Sequence, residues 1–223
     1  MKLLRSVAEL HAWRAAVEGG PLHFVPTMGS LHRGHQTLLR RAGQPRAGQR
    51  PRVLLSVFVN PLQFGPAEDY SRYPRDLEGD ALLAGTSGAD ALFAPAPEDL
   101  FPGGAAALTR VSPPATLQEV LCGRVRPGHF NGVATVVCRL LALTRPDRLF
   151  LGEKDWQQLV IHRTVVADLG LPVSIEGCGT IRDDDGLACS SRNRYLSNQE
   201  RSQALALPRL LRHGLERHRR QPG

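Results

Sequence analysis

The run Val53-Leu-Leu-Ser-Val-Phe-Val59 constrains the fold more than any other stretch of this chain. It is apolar and β-branched almost throughout, with no alternation of polar and apolar residues. Such a strand is buried on both faces, as strands are in parallel sheets covered by helices on each side. The rest of the chain supplies the matching parts. A helical pattern over 3–18 precedes a short strand over 22–25 and a helix over 34–42. After a Gly, Pro and Arg linker (Gly43 to Arg52) and the central run comes Asn60-Pro61, which opens a long loop to Tyr73. A helix over 75–84, a strand over 91–93, a Pro- and Gly-rich stretch over 94–128 and a strong helix over 131–144 follow. Strand 148–151, helix 155–169, strand 173–175 and a helix from about 197 complete the pattern. Strands alternating with helices predict an α/β fold built on a doubly wound parallel sheet.

Composition narrows the function classes. The formal net charge is +7, but the arginines are dispersed until the segment Arg209 to Arg220. A basic tail without interleaved aromatics gives only unspecific attraction to nucleic acid, and anionic small substrates account for part of the excess. No run reaches the length of a membrane span, and the amphipathic N-terminus lacks the apolar core of a secretory signal. Cys122, Cys138, Cys178 and Cys189 show no CxxC spacing, which argues against zinc and fits reduced cytosolic thiols. The expected setting is cytoplasmic, with no membrane or nucleic-acid partner.

Chemistry concentrates where strands end. His32-Arg33-Gly34-His35 lies between the first strand of the alternation and the next helix. Backbone N–H groups at a helix start lack intrahelical partners, and the helix dipole adds about half a positive charge there. Such an end attracts phosphate, and imidazoles beside it can donate to a phosphate or its transition state. Gly34 removes a side chain that would hold a ligand away. A metal site is the competing reading, but no HxxxH with glutamate is present and no third ligand stands nearby. A solvated pair without a role is the other.

Further polar clusters follow later strands: Asn60 to Gln63, and Gly152 to Asp155. In doubly wound sheets ligands bind beyond the carboxyl ends of the strands, so these loops should converge. Lys154 is one of only two lysines in a chain that otherwise uses arginine, which suggests a need for a compact ammonium. Ser190, Ser191 and Arg192 combine two hydroxyls and a guanidinium suited to phosphate oxygens; a helix-capping loop is the bland alternative. Asp183, Asp184 and Asp185 could bind Mg²⁺, but three adjacent acids more often form a solvated turn.

Five motifs then point to one family. Pro26-Thr-Met-Gly-Ser-Leu-His-Arg-Gly-His35, Ser56-Val-Phe-Val-Asn-Pro-Leu-Gln-Phe64, Gly128-His-Phe-Asn-Gly-Val-Ala-Thr135, Gly152-Glu-Lys-Asp155 and Asp185-Gly-Leu-Ala-Cys-Ser-Ser-Arg-Asn193 closely resemble pantothenate synthetases, the pantoate–β-alanine ligases. They occur in the family's order from the start of the chain to about residue 200. The family belongs to the HIGH-containing adenylyl-transferring superfamily, and His32 to His35 looks like the HIGH element.

The resemblance implies a Rossmann-like domain over 1–177 and a small, partial C-terminal lid domain over 178–223, since family members continue further. It also implies a homodimer and a two-step ligation through pantoyl adenylate, with ATP as co-substrate and Mg²⁺ on the pyrophosphate. Met28, Gly29, Ser30, Leu31, His32, Arg33, Gly34 and His35 would hold ATP, with His35 in the proton-donor role. Gly152, Glu153, Lys154 and Asp155 would bind nucleotide, Ile181 would lie against adenine, and Cys189 to Arg192 would be the signature loop closing over the triphosphate. The implied catalytic set is His32, His35, Lys154, Ser190, Ser191 and Arg192. Gln63 and Gln158 would fix pantoate, Gln63 also bordering β-alanine, and Asp80 stands at an acidic, metal-linked position. Cys189 replaces the usual Leu or Met, and Gly79 and Leu83 leave the Asp80 region thin. Two further readings stay open: a related acid–amine ligase with other substrates, and a lid-deficient, non-catalytic nucleotide-binding homologue. A tRNA synthetase is not expected, because no anticodon-reading module fits in this length.

Overall fold

The computed structural model describes residues 1–17, 19–104 and 107–220. Glu18, residues 105–106 of the Pro/Gly-rich stretch and residues 221–223 of the expected lid lie outside the described residues. Six strands form one parallel sheet: β1 (Lys2–Leu4), β2 (Leu22–Thr27), β3 (Arg52–Val57), β4 (Ala91–Phe93), β5 (Arg148–Gly152) and β6 (Ser174–Cys178). Their spatial order is β1-β4-β3-β2-β5-β6. β2 pairs with β3 on one side, Phe24 opposite Leu54, and with β5 on the other, Phe24 opposite Leu149. The connections run in opposite directions from β2, so the sheet reverses its winding between β2 and β5, which places the natural crevice beyond their carboxyl ends.

The two-faced burial expected of the central run is present. Phe24, Leu54, Leu149 and Leu151 pack on one face with α1 (Val7–Ala16) and α7 (His129–Thr144). Val25, Val53, Leu55 and Phe150 pack on the other with Leu39 of α2 (Arg33–Ala42) and Ala84 of α3 (Leu77–Thr86). Short helices α4 (Pro97–Leu100), α5 (Ala115–Gln118) and α6 (Leu121–Val125) fill the stretch before α7, and α8 (Trp156–Asp168) joins β5 to β6. A 3-10 turn over Ser191–Tyr195, α9 (Asn198–Ala204) and α10 (Ala206–Arg220) end the described chain.

The amino terminus departs from the single helix expected over 3–18. Lys2–Leu4 is an edge strand in register with Ala91–Phe93, and Leu4 is fully buried. The helix begins only at Val7, because Ser6 Oγ accepts the Glu9 N–H and the Glu9 carboxylate accepts the Arg5 N–H at 2.6 Å. β6 runs longer than the expected 173–175. Its polar Glu176 hides the strand in the sequence, yet it takes Arg46 at 3.0 Å and Arg148 at 2.7 Å at the sheet edge.

α7 is buried along most of its length, and one glycine lets it approach the loop after β3. That loop opens with a 3-10 turn, Pro61–Gln63, capped by Asn60 Oδ1 accepting the Leu62 N–H. Asn60 Nδ2 also donates to the Gly132 carbonyl at 3.1 Å. A Cβ at Gly132 would fall 2.1 Å from the Leu62 carbonyl oxygen, so nothing larger than glycine fits without moving backbone. Gly132→Ala should therefore cost about 1–3 kcal/mol through overpacking. Thermal unfolding should show a drop of several degrees, and an unchanged transition would show that the two segments separate freely.

Candidate active site

The site is built from the turn that carries the chain from β2 into α2. Gly29 (φ +82°) and Ser30 (φ +51°) are left-handed in succession, which turns their neighbouring N–H groups inward. Asp80, on α3 and only 3% exposed, fills that concavity. Its Oδ2 accepts from the Ser30 N–H at 2.9 Å and its Oδ1 from the Leu31 N–H at 2.6 Å. Burial raises the Asp80 pKa, and these two hydrogen bonds oppose the rise. A Cβ at Gly29 would lie 2.7 Å from Asp80 Oδ2, so the close approach requires glycine.

Both oxygens of Asp80 serve the backbone, and the described residues include no cluster of three or more His, Cys, Asp or Glu suited to a metal. The N–H groups of Ser30 and Leu31 are already satisfied by protein, so they are not free for phosphate.

The two histidines cap α2 reciprocally. His32 Nδ1 accepts the Gly34 N–H at 3.1 Å, and His35 Nδ1 accepts the His32 N–H at 3.3 Å. Their rings lie 4.0 Å apart, centroid to centroid. Gly34 is needed for this packing, since a Cβ there would sit 2.9 Å from His32 Cε1. Burial, reinforced by the Lys154 charge, lowers His32 to about 4. Burial, the neighbouring His32 and Lys154 lower His35 to about 3. Both rings are thus neutral near pH 7. A neutral ring whose Nδ1 accepts must carry its proton on Nε2, so each presents one Nε2–H donor.

These histidines line one open cavity of about 260 Å³ with Met28, Gly34, Gln63, Gly152, Lys154, Asp155, Gln158, Ile181, Cys189, Ser190, Ser191 and Arg192. The loops after β2, β3, β5 and β6 thus converge as the sheet topology requires. Gly29, Ser30, Leu31, Arg33 and Glu153 fall outside its lining. Phe58 and the α7 residues Val133, Val136, Val137 and Leu140 add an apolar wall.

At the other end Gln63 is held from several sides. Asn60 Nδ2 donates to its Oε1 at 3.0 Å, and its Nε2 donates to Met28 Sδ at 3.2 Å. His129 Nδ1 meets the Gln63 carbonyl at 2.8 Å. A carbonyl can only accept, so His129 carries its proton on Nδ1 and its Nε2 accepts from Arg126 Nη1 at 3.0 Å. Burial lowers the His129 pKa, consistent with a neutral ring.

The 3-10 turn over Ser191–Tyr195, whose Ser191 and Arg192 line the cavity, is pinned from several sides. Arg192 pairs with Asp69 through Nε at 2.9 Å and Nη2 at 2.8 Å, and its guanidinium lies 5.4 Å from the Tyr73 ring centre. Tyr73 Oη and Ser191 Oγ are 3.0 Å apart, and Tyr195 Oη donates to the Arg72 carbonyl. Asp183 receives Arg33 at 3.4 Å and Arg201 at 2.9 Å, joining the start of α2 to α9. The acidic triplet is thus spent on arginines.

Comparison with known proteins decides the family. The family model described as pantoate–β-alanine ligase matches residues 2–222. The chain belongs to the pantoate–β-alanine ligase family. A bifunctional pantoate ligase/cytidylate kinase of Prochlorococcus marinus (strain MIT 9313) is 62% identical over 202 residues, covering 91% of this chain and 40% of that protein. One from Synechococcus sp. (strain RCC307) is 58% identical over 211 residues, covering 95% and 40%. The chain therefore spans about two fifths of the length of the curated relatives it matches. The crystal structure of the Thermus thermophilus pantothenate synthetase superposes with a TM-score of 0.86 at 53% identity, covering 94% of this chain and 72% of that one. A Francisella tularensis pantoate–β-alanine ligase, complexed with β-γ ATP and β-alanine, gives 0.87 at 37% identity, covering 95% and 79%.

Among the cavity-lining residues, Tyr73, Arg126 and His129 carry no role in the sequence reading, and Asn60 enters it only as the start of a polar cluster. Asn60 and His129 sit inside motifs that were quoted, so their signal was present. Tyr73 and Arg126 carry none, because only tertiary pairing brings them in.

The tautomer assignment has a direct check. Nitrogen-15 spectra of the imidazoles should show His32 and His35 with protons on Nε2 at pH 7. Because both pKa values lie below the ordinary His range, neither should titrate between pH 8 and about 5.5, protonation setting in only as the pH falls toward 4. A midpoint near the ordinary His value of about 6.5 for either ring would contradict the buried, Nδ1-accepting arrangement.

Proposed function

We propose that this chain ligates pantoate to β-alanine at the expense of ATP, through a pantoyl-adenylate intermediate. The observation that carries this reading is the pairing, in one cavity, of two fixed Nε2–H donors beside Lys154 with an amide-lined end at Gln63. The ligand-bound Francisella relative supports ATP and β-alanine as the compounds handled.

In the first half-reaction a pantoate carboxylate oxygen attacks the α-phosphorus of ATP. The bond to the bridging oxygen of the β-phosphate breaks, and pyrophosphate leaves. His32 and His35 donate Nε2–H hydrogen bonds to the phosphate oxygens on which charge accumulates; being neutral, they need no proton transfer to do so. Lys154 supplies a compact positive charge at the same place. Ser190, Ser191 and Arg192 close over the triphosphate, Ile181 borders adenine, Asp155 takes ribose-side contacts, and Gln63 and Gln158 orient pantoate by amide hydrogen bonds. In the second half-reaction the unprotonated amine of β-alanine attacks the acyl carbon. The acyl–oxygen bond to AMP breaks, and the nitrogen sheds its extra proton to solvent. The protein supplies positioning and charge stabilisation, which is what phosphoryl-type transfer demands.

Mg²⁺ enters this reading as part of the nucleotide substrate, because the described residues form no cage for it. Residues 1–177 are read as the nucleotide- and pantoate-binding unit and 178–223 as lid. A homodimer in the cytoplasm completes the reading; the four free cysteines fit that setting. Among the described residues no helix is long and apolar enough to cross a membrane.

Pyrophosphate release should require ATP, Mg²⁺ and pantoate together, and AMP and amide should appear only on adding β-alanine. Release without any amide would favour a different amine, and ATP binding without release would favour a non-catalytic homologue. His35→Ala should slow pantoate-dependent pyrophosphate release roughly 10²- to 10³-fold, the usual loss for one transition-state donor. An unchanged rate would remove His35 from the chemistry.

A further inference from the structure

The cavity is lined by three cationic side chains among the described residues: Lys154, Arg126 and Arg192. Two of them have an evident direction. Lys154 lies close enough to the histidine pair to lower both their pKa values, so it belongs to the phosphate end. Arg192 belongs to the 3-10 turn over Ser191–Tyr195, beside the hydroxyls of Ser190 and Ser191. Arg126 lies at the Gln63 end, two hydrogen bonds from Gln63 by way of His129.

We infer that Arg126 binds the carboxylate of the amine substrate and makes the second half-reaction selective for an amino acid. This rests on the ligase reading above. The two carboxylates of that reaction have different needs. Pantoate's carboxylate is the reacting group and loses its charge on becoming an acyl phosphate. The amine's carboxylate keeps its charge through to product, so it calls for a lasting counter-ion away from the phosphates and one short carbon chain from the acyl carbon.

Arg126 is prepared for that task. Glu68 takes Nε at 2.7 Å and Nη2 at 2.6 Å, and His129 Nε2 takes one Nη1 proton at 3.0 Å. A guanidinium has five N–H donors, so one remains on Nη1 and one on Nη2, adjacent nitrogens that suit a carboxylate. Glu68 does not line the cavity, so it fixes the plane of the guanidinium from behind. Glu68 and Arg126 are each about one quarter exposed, at 26% and 28%, so the pair is shielded but within reach of a ligand. Its neighbour Asp69 does the same for Arg192. One dipeptide thus stations both arginines, one toward each half of the reaction.

The experiment compares β-alanine with 3-aminopropanamide, the same chain with an uncharged end, as acceptors for the 223-residue chain, with pyrophosphate release measured in parallel. Arg126→Gln should raise the KM for β-alanine roughly 30-fold or more, as loss of a hydrogen-bonded charge partner does, and by more than any loss in pyrophosphate release. The preference for β-alanine over its amide should collapse, and Arg126→Lys should restore part of it. If Arg126→Gln fails to fold, Glu68→Gln carries the test and should weaken the same preference. A preference that survives in the variants, or a parallel fall for both acceptors and for pyrophosphate release, would reduce the pair to a structural ion bridge and overturn the inference. Absence of pantoate-dependent pyrophosphate release from the unmodified chain would instead overturn the ligase reading itself.

Discussion

The direction in which β2 delivers the chain into α2 governs everything at the cavity, and a buried carboxylate holds that direction. Asp80 gathers the Ser30 and Leu31 N–H groups from the opposite side of the turn. Gly29 and Ser30 are both left-handed, and Thr27 Oγ1 supports the same turn by accepting the Gly29 N–H at 3.2 Å. Burying a carboxylate is expensive unless it is well hydrogen-bonded, so the two short bonds are the condition for its presence. The consequence is transmitted directly. α2 starts where the turn leaves it, and its first exposed N–H groups fall to the imidazoles of His32 and His35. The helix end that first reads as a bare phosphate cradle therefore offers ring donors, with much of its backbone already engaged.

That substitution of rings for backbone has a chemical advantage. A backbone N–H is fixed by the helix axis, whereas a ring held at Nδ1 projects its donor farther out while losing little freedom. Two neutral donors also avoid placing fixed positive charge against Lys154. The low histidine pKa values follow from the same crowding: burial is the main cause for both rings, Lys154 adds to each, and His32 adds to His35.

The sheet was legible in the sequence because a strand buried on both faces leaves an uninterrupted apolar run, and Val53–Val59 could be little else. β1 was not legible. Three residues at the edge of a sheet cannot be told from the start of an amphipathic helix when the next ten residues have helical spacing. β6 was shortened for a related reason, since an edge strand can carry Glu176 where a central one cannot. For the cavity, residues within long motifs were legible: His32, His35, Gln63 and Lys154 all line it. The engagement of Asp80 by Ser30 and Leu31, and the arrival of Tyr73 and Arg126 at the cavity, depend on pairings between segments far apart in the chain that no local pattern encodes.

The same long-range pairings explain what the basic composition is for. Arginines of the cavity and of the segments beside it are matched to acids on other segments: Arg192 with Asp69, Arg126 with Glu68, Arg33 and Arg201 with the 183–185 triplet. Pairs this exposed add little to stability, a few tenths of a kcal/mol to about 1. Their effect is on geometry, because each ties a loop of the cavity to a different element. A guanidinium parked on a single carboxylate is held in plane yet keeps free N–H donors for a ligand. In the proposed ligation Arg192 would turn toward phosphate from a loop already ordered, which would meet part of the cost of closure before the ligand arrives.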